Sequence, residues 1–170
     1  MILPDLPALL AGKQQPRDAD ERLCLLAACQ AGGRPRTAAR LYADAFAADP
    51  ELADDPKAAH RYHAACSAAL AAAGKGDATK LDGKERARLR RQALDWLRAE
   101  LTSRAKRLES GQPADRAEAA KRVANWQMDG DLVGIRDRAE LDKLPQEERK
   151  AFARLWADVA ALWNKAVGKK

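Results

Sequence analysis

β-Branched residues are scarce: four Val, two Ile and three Thr are all that 170 residues contain. That is too little material for the pleated, half-buried surfaces strands require, so a sheet is excluded and an all-α chain is expected. No stretch approaches the roughly 18 uncharged apolar residues of a membrane-spanning helix, and no membrane partner is expected. Cysteine is limited to Cys24, Cys29 and Cys66. An odd number, set in apolar helical stretches without metal-type spacing, argues against a disulfide framework and for buried free thiols in a reducing compartment. A cytoplasmic location is the expectation. Also missing are a Gly-rich kinase loop, a His-Arg-Asp triplet, an Asp-Phe-Gly triplet, and any Ser or Cys nucleophile with a recognisable partner. No catalytic residue and no cofactor are therefore expected.

The length suits one core or one short solenoid, so residues 1–170 read as a single helical domain. The opening MILPDLPALLAG is apolar, but it has no basic leader, and Pro4, Asp5 and Pro7 interrupt it. It does not read as a signal peptide. Residues 7–11 instead predict a short helix, and residues 1–18 a cap on the exposed side of the first hairpin. The net charge of +6 is concentrated: residues 75–125 hold fourteen Lys/Arg against eight Asp/Glu, whereas the segments on either side are close to balanced.

That first hairpin, residues 19–52, organises the rest. Its first helix carries Leu23, Leu26, Ala27 and Gln30 at three- and four-residue steps, and Gly32, Gly33 and Pro35 break it. Its second carries Ala38, Leu41, Tyr42, Ala45 and Phe46 and stops at Asp49-Pro50, because proline disfavours helical geometry in the residue before it. Ala38 and Ala45 allow close backbone approach, and Tyr42 fills the space between the helices. The set Leu25, Gly33, Ala38, Tyr42, Ala45 and Pro50 resembles the tetratricopeptide signature, with its period of about 34 residues. Leu26 stands where that pattern usually has glycine or alanine. Three further stretches, HRYHAACSAALAAAG, RRQALDWLRAEL and DLVGIRDRAELDKLPQEERKAFARLWADV, look like the tail that comes after the tetratricopeptide repeats in large serine/threonine kinases of planctomycete bacteria. The resemblance implies an accessory segment whose kinase domain would lie N-terminal to it. It also implies a concave wall formed by Asp20, Leu23, Ala27, Gln30 and Ala31, used as a peptide groove.

Residues 53–110 predict a second hairpin, opening near Pro56 and running through Tyr62, Ala65, Ala69 and Leu70. Its two helices are separated by an inserted loop, 74–84, a candidate contact point because long insertions tend to lie on the surface. The helix 84–108 carries a stripe of Leu89, Ala93, Leu94, Leu97, Leu101, Ala105 and Leu108. Residues 111–170 read as a C-terminal helical cap. It comprises a helix over 114–128, a short capping box from Asp137 to Glu140, and a last helix opening at Pro145 with Phe152, Leu155, Trp156, Val159, Leu162, Trp163 and Ala166 on one face. The tetratricopeptide resemblance implies that the whole is a short right-handed α-solenoid of such hairpins with extra C-terminal helices.

Other candidate sites are weaker. His60, His63 and Cys66 recur at three-residue steps, but the third has rotated well away from the first and no fourth ligand is near, so no metal is expected. By family resemblance His63 makes a polar hairpin contact. Gly74-Lys75-Gly76 lacks the spacing and the preceding strand of a phosphate loop, and Asp129-Gly130-Asp131 reads as a turn, since the other ligands of a calcium loop are missing. Trp126, Trp156 and Trp163 are placed in the core and Trp96 off its leucine stripe.

The expected function is a non-catalytic protein-interaction scaffold, holding a protein or peptide partner and associated with an attached or neighbouring kinase domain. The alternative is a nucleic-acid binder using the basic helix 84–108, with Arg86, Arg88, Arg90, Arg91, Arg98, Arg104, Lys106 and Arg107. At 100° per residue these eight spread around the cylinder. Arg86, Arg90 and Arg104 fall near the apolar face, where stems cover leucines and heads reach water. Asp95 is spaced to pair with Arg91 and Arg98. Specific nucleic-acid recognition is therefore not expected.

Overall fold

The computed structural model describes residues 6–55 and 57–168, and among these there is no strand. The helices in chain order are α1 Leu6–Leu10, α2 Ala19–Ala31, α3 Pro35–Ala48, α4 Glu51–Asp54, α5 His60–Ala72, α6 Gly83–Leu108, α7 Pro113–Met128, α8 Val133–Arg136, α9 Arg138–Leu141 and α10 Gln146–Val167. Local chemistry sets four of the helix starts. Asp18 accepts from Glu21 N at 2.8 Å to open α2, Asp82 accepts from Glu85 N at 2.8 Å to open α6, and Pro35 and Pro113 occupy the first turns of α3 and α7, where a missing N–H costs nothing. The predicted opening of the second hairpin at Pro56 lies outside the described residues.

Packing centres on α5. Ala64, Ala65, Ala68, Ala69, Ala71 and Ala72 are all buried, together with Tyr62, Cys66 and Ser67, so the helix is enclosed on almost every side. Alanine makes that possible, because interhelical distance is set by the side chains at the contact. α3 lies along one side of α5 and α6 along another. One core cluster joins Leu9, Leu25, Leu26, Cys29, Ala38, Leu41, Tyr42 and Ala64, and a larger one runs from α5 through α6 and α7 to α10. Half-buried Trp96 touches both clusters and meets Phe46 edge-on, with centroids 5.7 Å apart and planes at 89°. Its place off the leucine stripe is thus a bridging position.

The loop between α5 and α6, read from the sequence as a candidate contact point, is tied down at three points. The Asp77 carboxylate accepts from Arg36 N at 2.9 Å, from Thr37 N at 3.1 Å and from the Thr37 hydroxyl at 2.6 Å. It caps α3 from about forty residues away, where Arg34 at the N-cap offers no side-chain acceptor. Arg86 donates to Leu81 O at 3.0 Å, Ala72 O at 3.3 Å and Thr79 O at 3.4 Å, which holds the loop and the last turn of α5 together. Gly76, at φ +55°, passes so close to the α2–α3 turn that a Cβ there would lie 1.8 Å from Gly33 O and 2.8 Å from Pro35 Cδ. The glycines of the false phosphate loop are there for backbone approach and left-handed geometry.

The C-terminal segment packs α10 against α7, α6 and α8 through Phe152, Leu155, Val159, Leu162 and Ala166. Trp156 and Trp163 flank this seam half-buried instead of lying in it, because their positions fall at the edges of the buried arc. The Trp156 indole donates to Ile135 O at 2.7 Å, fixing α8 to α10. Trp126 alone of the four tryptophans is fully enclosed, stacked on Tyr62 at 5.2 Å and 10°. Asp137 is the N-cap residue of α9 but makes no side-chain cap, so the predicted capping box does not form. Its carboxylate instead takes the Arg136 Nε at 2.9 Å.

Two outcomes are expected from denaturant unfolding. Gly76→Ala combines a strained left-handed backbone with a backbone collision, and costs about 2–4 kcal/mol; Gly111→Ala, at φ +72° with open space around it, costs about 1–2 kcal/mol. Trp126→Ala removes an enclosed ring and costs about 3–5 kcal/mol, whereas Trp156→Ala loses a half-buried ring and one hydrogen bond and costs about 1–3 kcal/mol.

Candidate functional site

On α2, two faces separate cleanly. Leu25, Leu26 and Cys29 turn inward to meet Ala38, Leu41 and Tyr42, and Glu21 is buried beside Arg17, which donates to it from backbone and side chain. Those hydrogen bonds hold the Glu21 carboxyl below its ordinary value. The opposite face carries Asp20, Leu23, Ala27, Gln30 and Ala31, and all five are exposed. Of the expected apolar stripe Leu23, Leu26, Ala27 and Gln30, only Leu26 packs inward, because the contact with α3 is made through Leu25, Leu26 and Cys29. Leu23 is left 48 % exposed. Among the signature positions, Leu25, Ala38, Tyr42 and Ala45 are buried, Gly33 turns the chain at φ +60°, and Pro50 is exposed at the start of α4.

At its C-terminal end this face meets a cleft of about 360 Å³. Cys29, Gln30, Gly33 and Arg34 form one wall, and His63, Cys66, Ser67 and Leu70 of α5, with Asp131, form the other. The sequence singled out His63, Cys66 and Asp131 only as weak metal or turn candidates and did not join them to Gln30, because they lie more than thirty positions away. The Ser67 hydroxyl donates to His63 O at 2.9 Å. Behind the cleft the Tyr62 hydroxyl donates to Asp129 Oδ2 at 2.5 Å, and Cys66 Sγ lies 4.0 Å from the same oxygen. Asp129 also accepts from Asp131 N at 2.9 Å, and Arg136 donates to Asp129 O at 2.6 Å. In place of the expected turn, Asp129 caps a single turn of 3-10 helix, Gly130–Leu132, and through Tyr62 it ties the end of α7 to α5.

Cys66, His63 and Asp131 have the composition of a nucleophilic triad but not its electrostatics. Burial pushes the Cys66 thiol well up, and the Asp129 carboxylate adds to the shift. Burial likewise raises Cys29 to about 11. Desolvation lowers His63, with His60 and Arg122 acting in the same direction, and burial followed by Asp129 raises Asp131. A thiolate needs a cationic neighbour, and here the nearest charge has the wrong sign. His60 faces Tyr42 at 6.3 Å while His63 meets Tyr62 at 5.9 Å, so the two imidazoles turn to different elements. Among the described residues no group of three or more His, Cys, Asp or Glu is placed to hold a metal.

The basic helix is redistributed by packing. Arg90 forks onto Glu148 of α10, Nε to Oε2 at 2.5 Å and Nη2 to Oε1 at 3.0 Å. Arg104 is buried against Glu100, which also faces Arg61 at 3.6 Å, and Arg104 Nε has no partner among the described residues. With Arg86 bound to three carbonyls, all three heads near the apolar face end on protein acceptors, and Arg104 is buried, where heads reaching water were expected. The acceptors come from α5 and its loop for Arg86, from α10 for Arg90 and from Glu100 of α6 itself for Arg104. Arg107 pairs with Asp115 at 2.9 Å. Asp95 makes no ion pair with Arg91 or Arg98 among the described residues, so the expected internal pairing is not formed.

The state of the three thiols is checkable directly. Cys24 is exposed while Cys29 and Cys66 are buried, so an aromatic disulfide reagent at mildly alkaline pH should titrate one thiol rapidly in the native protein and all three after unfolding. Rapid native reaction of Cys66 would mean that its wall of the cleft opens.

Compared with known proteins, the chain matches no family model, no curated protein and no solved structure.

Proposed function

We propose that the chain is a non-catalytic interaction scaffold of the tetratricopeptide type. In this reading α2 and α3 form the first hairpin and α5 and α6 the second of a short right-handed solenoid, α7 to α10 cap its end, and the whole acts as one domain. The partner is a protein or peptide segment, held on the exposed face of α2 formed by Asp20, Leu23, Ala27, Gln30 and Ala31 and in the cleft beyond Gln30. The observation that carries the reading is the two-sided character of α2. A helix with Leu25, Leu26 and Cys29 fully committed inward still shows Leu23, Ala27 and Ala31 to solvent, and it does so beside a cleft with polar groups at its walls. Recognition sites have this make-up, an apolar surface with a few placed polar groups.

The sequence resemblance to kinase tails supports an accessory role beside a serine/threonine kinase, in the cytoplasm of a planctomycete-like bacterium. Unpaired thiols agree with a reducing compartment, and no helix among the described residues is long and apolar enough to cross a membrane. Specific nucleic-acid binding is disfavoured because Arg86, Arg90 and Arg104 are spent on internal acceptors.

Selection from a phage-displayed random-peptide library tests the reading. Enriched peptides are expected to bind the parent and to lose about tenfold or more in affinity to Leu23→Glu with Ala27→Glu. Both positions are exposed, so the thermal midpoint of that variant should stay close to the parent's. An absence of enrichment, or peptides that bind the variant equally well, would refute the α2 face as a groove.

A further inference from the structure

A second surface lies on α6, away from the α2 face, and the packing itself creates it. Once Arg86, Arg90, Arg104 and Arg107 are paired, the cations left on this helix with no ion-pair partner among the described residues are Lys84, Arg88, Arg91, Arg98 and Lys106. Arg88, Arg91 and Arg98 fall within about 80° of one another at 100° per residue. The residues that spread the charge around the cylinder are the ones the interior has consumed, and the remaining guanidiniums make a stripe.

That stripe forms one wall of a groove of about 570 Å³ between α6 and α10. Half-buried Ala87 and Ala151 are its most exposed apolar side chains, with Leu94 and Phe152 lining it but only 8 % and 1 % exposed. Its acids are mostly engaged. Glu148 is held by Arg90, and Glu147 meets Lys150 at 3.1 Å. Asp95 is left, among the described residues, as one unpaired carboxylate against three guanidiniums. Arg98 donates weakly to Ala151 O at 3.5 Å, which leaves most of its donors for a ligand. Arg88 also lines the neighbouring cleft that contains Arg34, so the positive surface continues beyond the groove.

We propose that this groove is a docking site for an acidic amphipathic helix. Its apolar side chains would settle on Ala87, Ala151 and the edge of Leu94, while its carboxylates would reach Arg88, Arg91 and Arg98. Both features are required. A surface for a phosphate backbone needs the cations but gains nothing from an apolar floor, whereas helix-in-groove recognition uses the floor for anchors and the rim for charge complementarity. The groove runs along α6 from Ala87 to Arg98, a rise of about 17 Å, which matches about three turns of a bound helix. The site is independent of the α2 face, and either can fail without the other.

The test is fluorescence anisotropy on the full chain, with a labelled peptide of about three turns carrying Leu at helical spacing and Glu elsewhere. The comparison probes are a scrambled peptide of the same composition, a Lys-for-Glu version and a duplex oligonucleotide. Saturable binding of the amphipathic peptide is expected, at least about tenfold tighter than the scramble and undetectable for the Lys version. Arg91→Glu with Arg98→Glu should weaken it about tenfold or more, as should Ala151→Glu, which fills the floor. If the charge reversals impair folding, Arg91→Gln with Arg98→Gln serves in their place. The α2 variant Leu23→Glu with Ala27→Glu should bind this peptide like the parent. Equal binding of the scramble, tighter binding of the oligonucleotide, or loss of binding in the α2 variant with retention in the Arg91/Arg98 variant would each overturn the proposal.

Discussion

A central helix with alanine at six of its thirteen positions sets the geometry of the whole molecule. α5 presents Ala64, Ala65, Ala68, Ala69, Ala71 and Ala72 to its surroundings, so α3 and α6 lie against it with no large side chain to hold them apart. Alanine also costs the least in helix propensity and side-chain entropy, which suits a helix with little else to stabilise it locally. The drawback is that alanine gives each contact little area. Larger groups at the margins make up for it: Tyr42 and Phe46 on one side, Tyr62 stacked on Trp126 on the other, and Trp96 between the two clusters.

Close approach brings backbone termini and loops near each other, and charged side chains complete the hydrogen bonding there. Asp77 serves the first turn of α3, Arg86 the last turn of α5 and its loop, and Arg136 the carbonyls of Trp126 and Asp129. An unmet backbone group at a buried helix end is costly, so a guanidinium with several donors is suited to such corners. The buried Arg104 and Glu100 with Arg61 are a different case. Desolvating such a group opposes its Coulomb gain; Arg104 Nε is left without a partner among the described residues, and the contact of Arg61 with Glu100 at 3.6 Å links α5 to α6.

These internal uses of charge shape both exposed surfaces. The face of α2 is mildly apolar with polar groups at the end near α5, and the groove between α6 and α10 is apolar with a basic rim. The cleft beside α2 contains thiol, imidazole and carboxylate, yet burial keeps the thiols protonated and the nearest charge to Cys66 is negative. Composition alone would suggest reactive chemistry there, and the local electrostatics oppose it.

The amino-acid sequence determined the helices and their ends, because those depend on neighbours a few residues away. Scarce β-branched residues, Asp18 and Asp82 before α2 and α6, Pro35 and Pro113 in first turns, and glycines at breaks are all local signals, and the boundaries agree with them. It did not separate the two faces of α2, since spacing grouped Leu26 with Leu23, Ala27 and Gln30, and only the contact with α3 turned Leu25, Leu26 and Cys29 inward. Tertiary structure alone decided the use of each charge and loop. Asp77 caps a helix about forty residues earlier, Tyr62 reaches Asp129 across 67 residues, and Gly76 is required by the carbonyl of Gly33. Helical periodicity places Arg90 and Arg104 near an apolar face but does not say that Glu148 and Glu100 will meet them. The partner of a long side chain is fixed by which elements pack together, and that is a property of the assembled chain, not of any window along it.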